Sequence, residues 1–168
     1  VESIGISEAI SFTLGPYPVV NIATRWHEIM SEIELLEQPS AIQLNAPEVR
    51  EIQRRIEIVF IGLWQLRELS KEAGLLSMDA AIDQSQRMSL AHDLGNLVKH
   101  RVLTHPPRSH FRPVFGDLTL QREGDSPWRV QWPVSHGADR YEAVEIARGA
   151  AEDWRLFLEG PDGLSQPI

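Results

Sequence analysis

The stretch Arg87-Met88-Ser89-Leu90-Ala91-His92-Asp93-Leu94-Gly95-Asn96-Leu97-Val98-Lys99-His100-Arg101 concentrates the side chains with chemical capacity. His92, Asn96 and His100 recur at i, i+4 and i+8. On a helix they rise along one face within about 80° of one another, with Asp93 and Lys99 flanking the line. An imidazole so placed could pass a proton. A face of His, Asn and Asp could instead form a buried, satisfied hydrogen-bond network in which Asp93 or Asn96 caps a backbone group of a hairpin or loop. The network is the leading reading, because Leu90, Leu94 and Leu97 bound the same region. No metal site is expected. His92 and His100 stand about 12 Å apart along the axis, too far to share an ion, and either one with Asn96 supplies only two ligands. Gly95 in mid-helix costs about 1 kcal/mol relative to alanine, which points to a close approach by another backbone.

The chemistry-bearing region continues into a loop. Lys99, Arg101, Arg108 and Arg112, with His100, His105 and His110, fall in a span where no acid occurs between Asp93 and Asp117. In a chain of net charge −8 this is a local cationic island. Asp93, Asn96, Lys99, His100, Arg101, Arg108 and Arg112 are therefore the candidate binding residues. The island could receive a phosphate, a nucleic-acid backbone or an acidic protein. The plainer reading is a solvated connection whose charges answer the acids of the first two helices. Aromatic interleaving is limited to Phe111 and Phe115, so base stacking has little support.

Two resemblances attach to these residues. The run His92-Asp93-Leu94-x-Asn96-x-x-Lys99-His100, followed by a hairpin and by Glu152-Asp153-Trp154-Arg155-Leu156-Phe157-Leu158, resembles uncharacterised bacterial four-helix proteins that carry a D-L-x-N-x-x-K-H helix and a closing W-x-x-F-L helix. That resemblance covers about residues 80–160 and implies the topology without an activity. The group often has Arg where this chain has His92. Arg87 and His92, with four residues between them, are also similar to the R-x(4–6)-H signature of HEPN-type helical ribonucleases. That likeness implies a metal-independent ribonuclease in which His92 acts as general acid or base and Arg87 stabilises the pentacovalent phosphate.

Helices must position these groups. A first helix is expected from Thr24, as N-cap, to Gln38, stopped by Pro39. A second runs from the Asn45 cap, with Pro47 in its first turn, to Gly74, with Val49, Ile52, Ile56, Val59, Phe60, Leu63, Leu66 and Leu69 as its apolar stripe. A third extends from Ser77 to Leu103, ended by Pro106-Pro107. Strands at 114–122 and 128–134 form a hairpin around Glu123-Gly124-Asp125-Ser126-Pro127. Trp128, Val130 and Trp132 share one face of it, which more often covers a core than marks a binding patch. A fourth helix spans about 139–159, with Tyr141, Val144, Ala147, Trp154 and Phe157 inward. The expected fold is mainly α: one domain over residues 1–168, an antiparallel four-helix bundle with a β-hairpin between helices 3 and 4. Residues 1–23 form an irregular start and 161–168 a loose tail.

Composition limits the function classes. With 42% hydrophobic and 24% charged residues the chain has an ordinary globular mix. It has no cysteine, so disulfides, zinc–thiolate sites and cysteine nucleophiles are out, and a cytoplasmic setting fits. Residues 1–86 carry 6 basic and 13 acidic side chains, and residues 87–168 carry 10 and 11. This balance disfavours general affinity for nucleic acid or anionic membranes. No apolar run approaches the roughly 18 residues of a membrane helix. The first residue is Val1, so what precedes it is open. There is no phosphate-binding glycine loop, G-x-S-x-G or H-E-x-x-H. The leading expectation is a non-enzymatic helical protein without cofactor that binds another macromolecule, a protein partner or a second copy. Nucleic acid at 99–112 is a lesser option, and the HEPN-like ribonuclease is the alternative.

Overall fold

The computed structural model describes residues 21–38, 45–103 and 105–164. It is mainly helical with two small antiparallel sheets. The expected irregular start at 1–20, the Pro39 stop and the tail at 165–168 lie outside the described residues.

Helix α1 spans Ile22–Glu37. Its cap is Asn21, not Thr24: the Asn21 side-chain oxygen accepts from Thr24 N at 2.8 Å, which puts Thr24 in the first turn. Helix α2 spans Ala46–Glu72. Asn45 and Glu48 exchange hydrogen bonds of 3.1 and 2.7 Å, a reciprocal capping box. Past its end Gly74 has φ +78°.

The long third helix is two helices. Helix α3 is Met78–Gln84 and helix α4 is Gln86–His100. Ser85 between them is extended, and its Oγ accepts from Met88 N at 3.1 Å while donating to Asp153 at 2.7 Å. The apolar periodicity passes through this break because both segments face the same core. The Ile82 carbonyl, near the break, accepts from Ser89 Oγ at 2.6 Å. Helix α4 ends at Arg101, whose φ is +62°.

Five short strands follow: β1 Val114–Phe115, β2 Thr119–Gln121, β3 Arg129–Gln131, β4 Pro133–His136 and β5 Asp139–Glu142. Strands β2 and β3 pair with Leu120 opposite Val130. A separate sheet has the order β1-β4-β5, all antiparallel. The β2–β3 pair lies within the two expected strands, across the expected turn; the structure adds a second sheet, in which β1 pairs with β4 and β4 with an unforeseen strand β5. Gly137, at φ +62°, turns β4 into β5. The last helix, α5, consequently starts at Ala143 rather than 139 and runs to Leu158. Glu142 sets that start: one carboxylate oxygen accepts from Val144 N and the other from Trp132 N, both at 2.7 Å.

The core joins all of these. Helix α2 packs on α1 and α4, and α5 packs on α1 and α4. Leu63, Leu94 and Trp154 are buried within it, with Phe157 packed half-buried against them. Trp26 Nε1 donates to the Ala151 carbonyl at 3.1 Å, tying α1 to α5. Trp132 is buried, stacked 4.2 Å from Phe115 and bonded to the Gly116 carbonyl; Trp128 stays half-buried. Residues 161–164 are not loose, since Leu164 N bonds the Leu158 carbonyl at 2.7 Å and its side chain rests on the core. No described helix is long and apolar enough to cross a membrane.

Candidate functional site

Helix α4 crosses α2 closely at Gly95. A Cβ there would meet the Phe60 carbonyl oxygen and lie 2.7 Å from Trp64 Cβ. This crossing leaves Asp93 facing the connection between α4 and β1. Asp93 is only 3% exposed, and its carboxylate takes three hydrogen bonds from that connection. The Arg108 amide donates at 3.1 Å, the Ser109 amide at 2.9 Å and Ser109 Oγ at 2.7 Å. Burial pushes the carboxyl up in pKa. The three donors of Ser109 and Arg108 outweigh burial and hold it below the usual range; the His92 ring, 3.8 Å away, is beyond hydrogen-bond reach.

The loop is fixed from two further sides. His136 Nε2 lies 2.8 Å from the Ser109 carbonyl, and its ring packs edge-on to Phe111 at 5.5 Å. Phe111 also covers Gly137, where a Cβ would fall 3.1 Å from the ring. The Arg108 guanidinium bridges Asp79 at 2.8 Å and Asp83 at 2.7 Å, and Asp79 in turn binds Arg67 at 2.8 Å. Burial opposes ionisation of Asp79, but Arg67 and Arg108 together hold its carboxyl below the usual range. Above this clamp the chain is open: Phe111 is 57% exposed, and His110 (φ +73°) and Arg112 are exposed.

The remaining candidates separate. The Arg87 guanidinium lies across Gly149 and forms a two-pronged ion pair with Asp153, whose Oδ2 also accepts from Ser85. Both ring nitrogens of His92 are buried with no hydrogen-bond partner. Asn96 is buried; His100 is exposed in the last turn of α4. Lys99 Nζ sits 3.7 Å over the Trp64 ring, and Arg101 reaches Glu57 at 3.9 Å. The cationic island is therefore divided, with Lys99 and Arg101 turned to α2 and Arg108 to α3.

The cluster around Ser109 does not activate its hydroxyl. Asp93, Ser109 and His136 converge, but His136 bonds the Ser109 carbonyl while Ser109 Oγ donates to Asp93, the reverse of the relay that would activate a hydroxyl. Among the described residues no three His, Asp or Glu side chains gather as a metal would need. Sequence reading missed Ser109 and His136. Nothing at position 109 distinguishes it from an ordinary loop serine, and His136 stands beside the Gly137 turn, 43 residues beyond Asp93. No protein-family model matches the chain, and comparison with curated proteins and with solved structures returns no match.

Proposed function

We propose that this chain is a non-enzymatic binding protein whose contact with a second macromolecule is made by the connection between α4 and β1. The observation that carries the reading is the Asp93 clamp. A buried carboxylate takes three hydrogen bonds from loop groups at Arg108 and Ser109, immediately before exposed Phe111 and Arg112 in the chain. Surface loops are ordinarily mobile, and ordering them on binding costs affinity; a loop already fixed avoids that cost. Phe and Arg are both among the side chains enriched at protein interfaces relative to the rest of the surface.

The partner is a protein or a second copy. Nucleic acid is disfavoured because Arg108 is committed to Asp79 and Asp83 and the whole chain carries −8. In the same reading α1, α2, α4 and α5 are an antiparallel four-helix framework with the strands inserted before α5, as in the uncharacterised bacterial proteins this chain resembles. The HEPN-like alternative draws less support: the His92 ring nitrogens are buried, and Arg87 is held by Asp153.

The test is differential capture from the cell of origin. The wild-type chain should retain a partner that Phe111→Ser and Arg112→Ala lose at unchanged melting temperature, while Leu76→Ser, at a position 95% exposed elsewhere, keeps it. Capture indifferent to both loop variants overturns the reading. So does RNA cleavage by the wild type that vanishes in both Arg87→Ala and His92→Ala with melting temperatures unchanged.

A further inference from the structure

Many arginines of this chain are answered within it. Arg67, Arg87, Arg108, Arg148 and Arg155 each hold a carboxylate. Arg112 and Arg140 are exposed and have neither an ion pair nor a ring contact among the described residues. Arg50 and Arg129 share that state but stand singly, on α2 and β3.

The β1-β4-β5 sheet brings Arg112 and Arg140 to one surface. Val114 lies opposite Ser135 and Ser135 opposite Arg140, so the three share a face. All three are exposed, whereas Phe115, Val134 and Tyr141 alternate onto the core side. The alternation continues back from β1: Arg112 is exposed, Pro113 buried and Val114 exposed. Arg112 therefore stands two residues along the same face from Val114. With strands about 4.8 Å apart and about 3.4 Å per residue, the Arg112 and Arg140 backbones lie about 12 Å apart, a span one extended segment covers. The two acids of this sheet do not meet them. Asp139 alternates to the other face, its Oδ2 3.5 Å from the Tyr141 hydroxyl. Glu142 shares the face, but its two carboxylate oxygens accept from the amides of Trp132 and Val144. Val114, 54% exposed, adds apolar surface beside the arginines.

We infer that this sheet face receives an acidic segment of a protein partner, with one carboxylate to each arginine. The inference deepens the binding reading above, on which it rests, by giving the chemistry of the partner. A guanidinium meets a carboxylate with two parallel N–H···O bonds. A chain of net charge −8 repels acidic proteins in general, so two unopposed arginines on one face fix where such a segment can bind. Nucleic acid fits less well, because two arginines neutralise only two phosphates against that net charge.

The experiment titrates the isotope-labelled full chain with a capped peptide alternating glutamate and leucine, and with the same peptide carrying glutamine for glutamate. Saturable amide shifts at Val114, Ser135 and Arg140 are expected with the acidic peptide and none with the glutamine peptide. Raising the salt concentration should weaken them. Arg112→Gln and Arg140→Gln should each weaken binding about tenfold at unchanged melting temperature, the scale of one charge-assisted pair, whereas Arg129→Gln should not. No saturable shift, an equal response to the glutamine peptide, or equal weakening by Arg129→Gln overturns the inference. Tighter binding of a single-stranded oligonucleotide at the same residues also overturns it and assigns the face to nucleic acid. Shifts there on concentrating the chain alone overturn it in favour of a second copy. Capture that Phe111→Ser loses and Arg140→Gln keeps refutes this face while the loop reading stands. Capture indifferent to both loop variants, together with a normal peptide titration, refutes the loop reading and leaves this face standing.

Discussion

His92 and Asp93 are neighbours in sequence with opposite fates. Asp93 has a donor at hydrogen-bond distance for each of three lone pairs, whereas His92 buries two ring nitrogens with none. Asp93→Ala should therefore be costly, since each buried donor left unpaired costs about 1–3 kcal/mol. Urea unfolding measures this, and a loss under about 0.5 kcal/mol would show that the clamp contributes nothing. His92→Leu should leave stability unchanged or raise it, because it removes polar atoms that lack partners; a loss above about 1 kcal/mol would mean that the ring is bonded. The Asp93 carboxyl also sets a pH dependence. Its folded pKa lies below the unfolded value of about 3.9, so its contribution is complete above that value and is lost as pH falls through the folded pKa. Melting temperature should decline below about pH 4, and Asp93→Asn should flatten that decline.

At the scale of elements, close helix contacts are decided by absent side chains. Gly95 lets α4 lie against the α2 backbone. On an isolated helix Gly95→Ala would gain about 1 kcal/mol, but here its methyl must displace the Phe60 carbonyl, and overpacking of this kind costs about 1–3 kcal/mol. The expected result is net destabilisation in denaturant unfolding. A more stable variant would show that the two helices can separate freely. The break at Ser85 belongs to the same scale. Its hydroxyl serves the start of α4 and Asp153 on α5 together, so the kink is fixed by a partner 68 residues away.

For the whole molecule, the core is continuous from α1 to α5, and its centre is the α2 face that meets α4. Leu63, 2% exposed, should cost about 2–5 kcal/mol when cut to alanine, read from the shift in urea midpoint at constant slope. A loss below about 0.5 kcal/mol would place Leu63 outside the core. Charge is also settled at this scale. Acids of α2 and α3 reach the basic span at Arg101 and Arg108, and exposed Arg112 remains on the loop the binding reading uses.

Local signals in the sequence determined the helical character, the capping box at Asn45, the inward stripe of α2 and the close contact at Gly95, because periodicity, capping and glycine cost act within a few residues. They placed Asp93 on a face bounded by leucines and left a hairpin or a loop open as the partner of Asp93 or Asn96. They did not give Ser109, His136 or the acids that hold Arg108, nor the second turn that moves the start of α5 to Ala143. The apolar pattern of one long helix also concealed the break at Ser85. Each of these depends on groups brought together from distant parts of the chain: Asp93 to Ser109, Ser109 to His136, Ser85 to Asp153, Trp132 to Glu142. A hydrogen bond is specified by position within a few tenths of an ångström, and for groups this far apart in the chain only the packed tertiary structure sets that position.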